Sequence, residues 1–103
     1  MILLLDTSTP VCKLTLVDGS QRFYSEWQAD RTLAKCLLVY MEQQLAEHGK
    51  KISDITALAV MKGPGSFTGL RIGITVVTTI ADANNLPIVG EMGDDWQEKA
   101  LLR

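Results

Sequence analysis

The sequence is short of cysteine, histidine and long apolar runs, and it carries no excess of positive charge. Each shortage removes a class of explanation. Cys12 and Cys36 are the two cysteines, and their spacing fits no metal motif. Buried free thiols in a reducing compartment are expected, and no metal site. His48 is the one histidine. With no second histidine and no paired nucleophile it is not placed for catalysis. At the end of a helix, interaction with the helix dipole accounts for it. The formal net charge is −2 and the pI about 5.2. That argues against holding nucleic acid unaided, because such binding rests on neutralising phosphates. The opening Met1-Ile2-Leu3-Leu4-Leu5 has no basic leader, and Asp6 ends it. No stretch approaches the roughly twenty apolar residues needed to cross a bilayer. A cytoplasmic protein without a membrane partner is expected.

Repeats, linkers and low-complexity segments are also missing. Residues 1–103 are therefore expected to form one domain. Apolar residues make up 47% of the chain, enough for one core. No pair of carboxylates is placed for acid–base work, and no catalytic residue is assigned.

What the chain does have is a dense glycine turn, Lys62-Gly63-Pro64-Gly65-Ser66-Phe67-Thr68-Gly69-Leu70-Arg71-Ile72-Gly73. Four of the eight glycines fall in it. Pro64 fixes one torsion, and the glycines permit left-handed ones. Ser66 and Thr68 can cap a helix starting here, whose first N–H groups would seat an anion. Tight packing alone is the other reading. The turn is neither a Walker A loop nor the dinucleotide fingerprint, since Gly63, Gly65 and Gly69 give G-x-G-x-x-x-G.

Hydrophobic pattern orders the rest. Ile2–Leu5 predicts a central strand buried on both faces. Val11–Val17 and Gln21–Trp27 alternate around Asp18-Gly19, a hairpin signal, so the first part is a three-stranded meander. Cys12, Leu14 and Leu16 share one face, as do Phe23, Ser25 and Trp27. Asp30 can cap a helix to Glu47 with Leu33, Leu37, Tyr40, Met41 and Leu45 in one stripe. Cys36, Leu38 and Val39 widen that stripe, either as a broad buried face or as a second surface for a partner helix. Gly49 ends the helix. Ile55–Met61 predicts another buried strand. Ile72–Ile80 is rich in β-branched residues, yet Gly69, Gly73, Val76/Val77, Ile80 and Asn84 recur at helical spacing, and a helix over Ser66–Asn84 is preferred. Leu86–Val89 predicts a last strand. Asp95 and Glu98 form a capping box for a short terminal helix with Trp96, Ala100 and Leu101. The order is β-β-β-α-β-α-β: an α/β fold with a five-stranded mixed sheet.

Two local sites stay open on the residues alone. Asp6-Thr7-Ser8-Thr9 can hold hydrated magnesium and phosphate at a strand end, or Asp6 can simply bond its own backbone. Arg71 can meet phosphate, meet a partner's carboxylate, or remain a surface residue.

Asp6-Thr7-Ser8 after the first strand, together with Gly63–Gly73, resembles the TsaB (YeaZ) family. The spacing between them, the intervening helix and Leu86-Pro87-Ile88-Val89-Gly90 match as well. The resemblance covers residues 1–90 and leaves 91–103 as a divergent tail. It implies a ribonuclease-H-like lobe of the actin, sugar-kinase and Hsp70 ATPase group, the first of two lobes. It implies a non-catalytic subunit in making threonylcarbamoyladenosine beside the anticodon of tRNA. Such a subunit pairs with a TsaD-like catalytic partner, is joined by a TsaE-like ATPase, and meets tRNA only through the complex. The implied interface is Leu33, Leu37, Tyr40, Met41, Gly69, Arg71, Gly73, Val76, Val77 and Ile80. The same surface implies a homodimer when the chain is alone. Asp6, Thr7, Ser8, Gly63, Gly65 and Ser66 are the candidate nucleotide or anion site. No cofactor is expected on the chain alone, with ATP and magnesium left to the complex.

Three departures stand out. Val76-Val77-Thr78-Thr79 replaces the small-residue stretch usual in the second helix. Glu91–Asp95 replaces a Ser-rich continuation. The second lobe, and with it half the cleft, is expected to lie outside the chain. The alternatives are a nucleotide-binding protein using Asp6 and the turn, and a truncated self-associating relative.

Overall fold

Alternation at the start of the chain makes a hairpin: β2 (Val11–Asp18) and β3 (Gln21–Gln28) pair antiparallel across Gly19-Ser20, with Gly19 at φ 61. The computed structural model describes residues 1–102; Arg103, the end of the expected tail, lies outside the described residues. β1 (Ile2–Asp6) pairs antiparallel with β2 and parallel with β4 (Ala57–Gly63), and β4 pairs parallel with β5 (Ile88–Met92). The sheet order is β3-β2-β1-β4-β5, a five-stranded mixed sheet as expected.

Helices cover both faces. α1 (Leu33–Glu47) and α2 (Phe67–Asn84) lie on one, and α3 (Trp96–Leu101) on the other. The short apolar run of β1 is what both layers share. Leu3 and Leu5 face the α1/α2 core with Cys12, Leu14, Leu16, Leu58 and Val60, while Leu4 faces α3 with Ala59, Met61, Trp96 and Ala100. Full burial of each such leucine stabilises the fold by about 1.5–3 kcal/mol.

Element ends shift from expectation for local reasons. Asp30 does not cap α1. It sits at φ 47 in a 3-10 turn over Asp30–Thr32, and Thr32 at the cap position sends its hydroxyl back to Ala29 O at 2.6 Å. β4 starts at Ala57 rather than Ile55, because Ile52–Asp54 forms a 3-10 turn in which Asp54 Oδ2 accepts from Lys51 N at 2.9 Å. β5 runs over Ile88–Met92 rather than from Leu86. Asn85, left-handed at φ 53, and Leu86 N–H to Ala81 O first close the end of α2. The terminal helix is present, but Asp95 makes no capping bond and pairs instead with Lys99 at 3.4 Å.

Candidate functional site

Strand ends and the glycine turn bring Asp6, Thr7, Ser8, Gly65 and Ser66 together as a packed joint, while Gly63 lies against Met92 and Leu70 instead. Asp6 Oδ1 accepts from Ser8 N at 2.9 Å and from Ser8 Oγ at 2.6 Å, the self-bonded turn that was one of the two readings. Ser66 N–H donates to Ser8 O at 2.7 Å. Thr7 is fully buried, and its hydroxyl donates to Gly69 O at 2.6 Å. Ser66 caps α2 as expected, its hydroxyl accepting from Gly69 N at 3.3 Å. Gly63, preceding Pro64 through a cis peptide, accepts from Gly93 N at 2.9 Å.

The glycines are there because Thr7 and Ser8 are so near. A Cβ at Gly65 would lie 2.5 Å from Ser8 Cβ, and one at Gly69 or Gly73 would run into Thr7. The Gly69/Gly73 face thus receives the chain's own β1–β2 turn. Reading it as a partner surface is corrected: both glycines are buried against Thr7.

The same correction applies to most of the expected interface. Leu37, Met41 and Val77 have no exposed surface, and Leu33, Tyr40 and Ile80 keep 9% or less. They form the core beneath the helices, and Tyr40 donates its hydroxyl to Ser25 Oγ at 2.8 Å. The stripe was read correctly as apolar but assigned to the wrong side of the helix. Of the ten residues, Arg71 is exposed and Val76 half-buried.

The open side of the helix pair carries other residues. Leu38 and Val39 on α1 are 46% and 54% exposed, and Phe67 at the start of α2 is 73% exposed. Arg71 lies over the Phe67 ring at 5.5 Å. Between the helices runs an open groove of about 380 Å³ lined by Ala34, Phe67, Thr68, Arg71, Ile72, Thr75 and Val76. Leu38 and Val39 had shown as the widening of the first stripe, so the second-surface reading had a signal. Phe67 had one too, lying off the buried Gly69-Gly73-Val77-Ile80 stripe. A second open groove, about 710 Å³, lies between the starts of α1 and α2 and reaches Thr9, Arg31 and Ser66.

The thiols and the histidine sit apart from these surfaces. Cys12 is buried, and burial first, then the Asp6 charge, pushes its pKa up to about 12. His48 ends α1 and stacks on Phe23 with centroids 4.0 Å apart. Among the described residues no cluster of three His, Cys, Asp or Glu could hold a metal. No helix among them is long and apolar enough to cross a membrane.

The fold and joint define a single ribonuclease-H-like lobe of the actin type. The model of the TsaD family, described as tRNA N6-adenosine threonylcarbamoyltransferase, matches residues 27–91. The chain belongs to this family, on its TsaB (YeaZ) side. Among its relatives is the tRNA threonylcarbamoyladenosine biosynthesis protein TsaB of Haemophilus influenzae, 35% identical over 85% of this chain and 37% of the relative. That of Escherichia coli is 38% identical over 86% and 38%. A solved YeaZ from Pseudomonas aeruginosa superposes with a TM-score of 0.83 at 31% identity, covering 96% of this chain and 49% of that one. The chain spans about two-fifths of the length of these curated relatives.

Proposed function

We propose that the chain, acting in the cytoplasm, is a non-catalytic TsaB-like subunit that docks a TsaD-like partner through the outer side of α1 and α2. The partner supplies metal, nucleotide and chemistry for threonylcarbamoyl transfer to the tRNA adenosine next to the anticodon. A TsaE-like ATPase joins the pair, and tRNA is met only through the complex. The observation that carries this reading is the exposed apolar set Leu38, Val39 and Phe67 beside an open interhelical groove. Exposed apolar side chains on both helices, with Phe67 at the rim of the groove, offer the kind of surface that partners cover. The closed joint around Asp6 supports it from the other side, since the Asp6 carboxylate already serves Ser8.

The test is the dissociation constant of the chain with its TsaD-like partner. Val39→Asp and Phe67→Asp, both at exposed positions, are expected to weaken it more than tenfold while the circular dichroism of the free chain stays unchanged. An unchanged constant in both variants sinks the assignment. Titration of the isolated chain with ATP and magnesium is expected to show no micromolar binding; such binding would favour the nucleotide-binding alternative.

A further inference from the structure

The sheet ends at β5, and a lysine of the neighbouring strand is laid across that open edge. β5 pairs with β4 on one side and with no strand among the described residues on the other. Leu58 N–H donates to Pro87 O at 3.0 Å, and Leu58 lies opposite Ile88. In a parallel ladder this phase recurs at every second residue. Val89 and Glu91 therefore bond inward to β4, and Ile88, Gly90 and Met92 turn their N–H and C=O groups to the open edge. The side chains divide in the same way. Val89 packs with the α3 core and Glu91 is buried, while Ile88 and Met92, on the other face, are 38% and 53% exposed.

Gly90 leaves a gap between these two apolar side chains, and Lys62 of β4 fills it. The Cγ, Cδ and Cε atoms of Lys62 pass through the space that a β-carbon of Gly90 would take, with Cδ nearest. The stem thus crosses β5 from the β4 side and carries its ammonium toward the open edge. Lys62 is exposed, and among the described residues it takes part in no ion pair. An open edge takes up an extended segment through its backbone groups, and the flanking side chains select which one. A lysine there guards the edge against indiscriminate pairing, because its charge must be matched or kept in water. A strand that brings a carboxylate to the same point meets that requirement. A second copy of β5 does not, since antiparallel pairing about Gly90 sets two Lys62 ammonium groups together.

We propose that the β5 edge is a docking site for an extended acidic segment of another protein. The segment pairs antiparallel, with a carboxylate opposite Gly90 against Lys62 Nζ and apolar side chains two residues to either side against Ile88 and Met92. Ile88, Gly90 and Met92 all present their backbone groups outward, so each exchanges both N–H···O=C bonds with the residue opposite. The site is separate from the groove between α1 and α2, which none of these residues lines.

The probe is a blocked peptide, Ser-Val-Thr-Glu-Thr-Val-Ser, titrated at low salt into the isotope-labelled chain while NMR follows the backbone amides. The signals of Ile88, Gly90 and Met92 are expected to move together and to saturate at millimolar peptide or below. Replacing the peptide Glu by Gln, or making Lys62→Ala in the chain, is expected to weaken binding about three- to fivefold, as an exposed ion pair allows. Added salt is expected to erase that difference. Lys62→Glu is expected to reverse the preference, toward a peptide with Lys in place of Glu. A peptide methylated on the Glu nitrogen is expected not to bind, because it has no N–H to give to Gly90 O. Circular dichroism checks that the exposed Lys62 changes leave the fold intact. The proposal is overturned if these amides do not move, if the shifts fall on α1 and α2 instead, or if the methylated peptide binds as well. It is equally overturned if the Gln peptide binds as tightly as the Glu peptide. Tighter binding of both peptides by Lys62→Ala would show a lysine that only guards the edge, and overturns it too.

Discussion

Thr7 joins the first strand to the second helix at backbone distance. Its hydroxyl bonds Gly69 O, while its carbonyl and side chain fill the space a β-carbon would need at Gly69 and Gly73. A methyl group at Gly69 must push against a backbone carbonyl, which has no rotamer to move to. Gly69→Ala is expected to lower the unfolding free energy by about 1–3 kcal/mol, as overpacking of a tight contact does. Urea transitions measure it, with exposed Thr78→Ala as the control, expected within about 0.5 kcal/mol of the parent. The spacing of Gly69 and Gly73 was legible in the sequence as a place of close approach. The identity of the approaching backbone was not, because local pattern does not say whether it comes from the same chain or another.

At the scale of elements, α2 shows how propensity and packing settle a conflict. Ile72, Ile74, Thr75, Val76 and Val77 each suit a strand. The Ser66 cap and a buried stripe of Gly69, Gly73, Val77, Ile80 and Ala81 make it a helix instead. Ser66→Ala is expected to cost about 1 kcal/mol in stability, and Ser66→Gly only a few tenths, both read from thermal or urea unfolding. The order of elements along the chain, the hairpin and both long helices were legible because each rests on a period of several residues; the spatial order of the strands was not, since it depends on pairings distant in sequence. Caps were less legible. Asp30 and Asp95 are good capping types, yet one adopts a left-handed torsion in a 3-10 turn and the other pairs with Lys99. Which side of α1 faces the sheet was legible in part: the stripe Leu33-Leu37-Met41-Leu45 is the apolar one, and apolar residues also serve as contact surface. Burial beneath the helix decides between the two, and that depends on strands distant in sequence.

At the scale of the molecule, a closed joint and an open helix pair divide the work. The joint holds the β1–β2 turn, the glycine turn and the start of α2 by bonds within the chain. The helix pair turns its core stripe to the sheet and keeps Leu38, Val39 and Phe67 outside. An aspartate at Val77 or Gly73 would test folding, since both are buried; only the outer positions test docking. The most direct measurement is backbone hydrogen exchange of the chain, free and bound to a TsaD-like subunit. Exchange is expected to slow across α1 and α2 and to stay unchanged over 6–9 and 62–66. Slowing confined to 6–9 and 62–66, with the helices unaffected in a complex that has demonstrably formed, would contradict the proposed docking face.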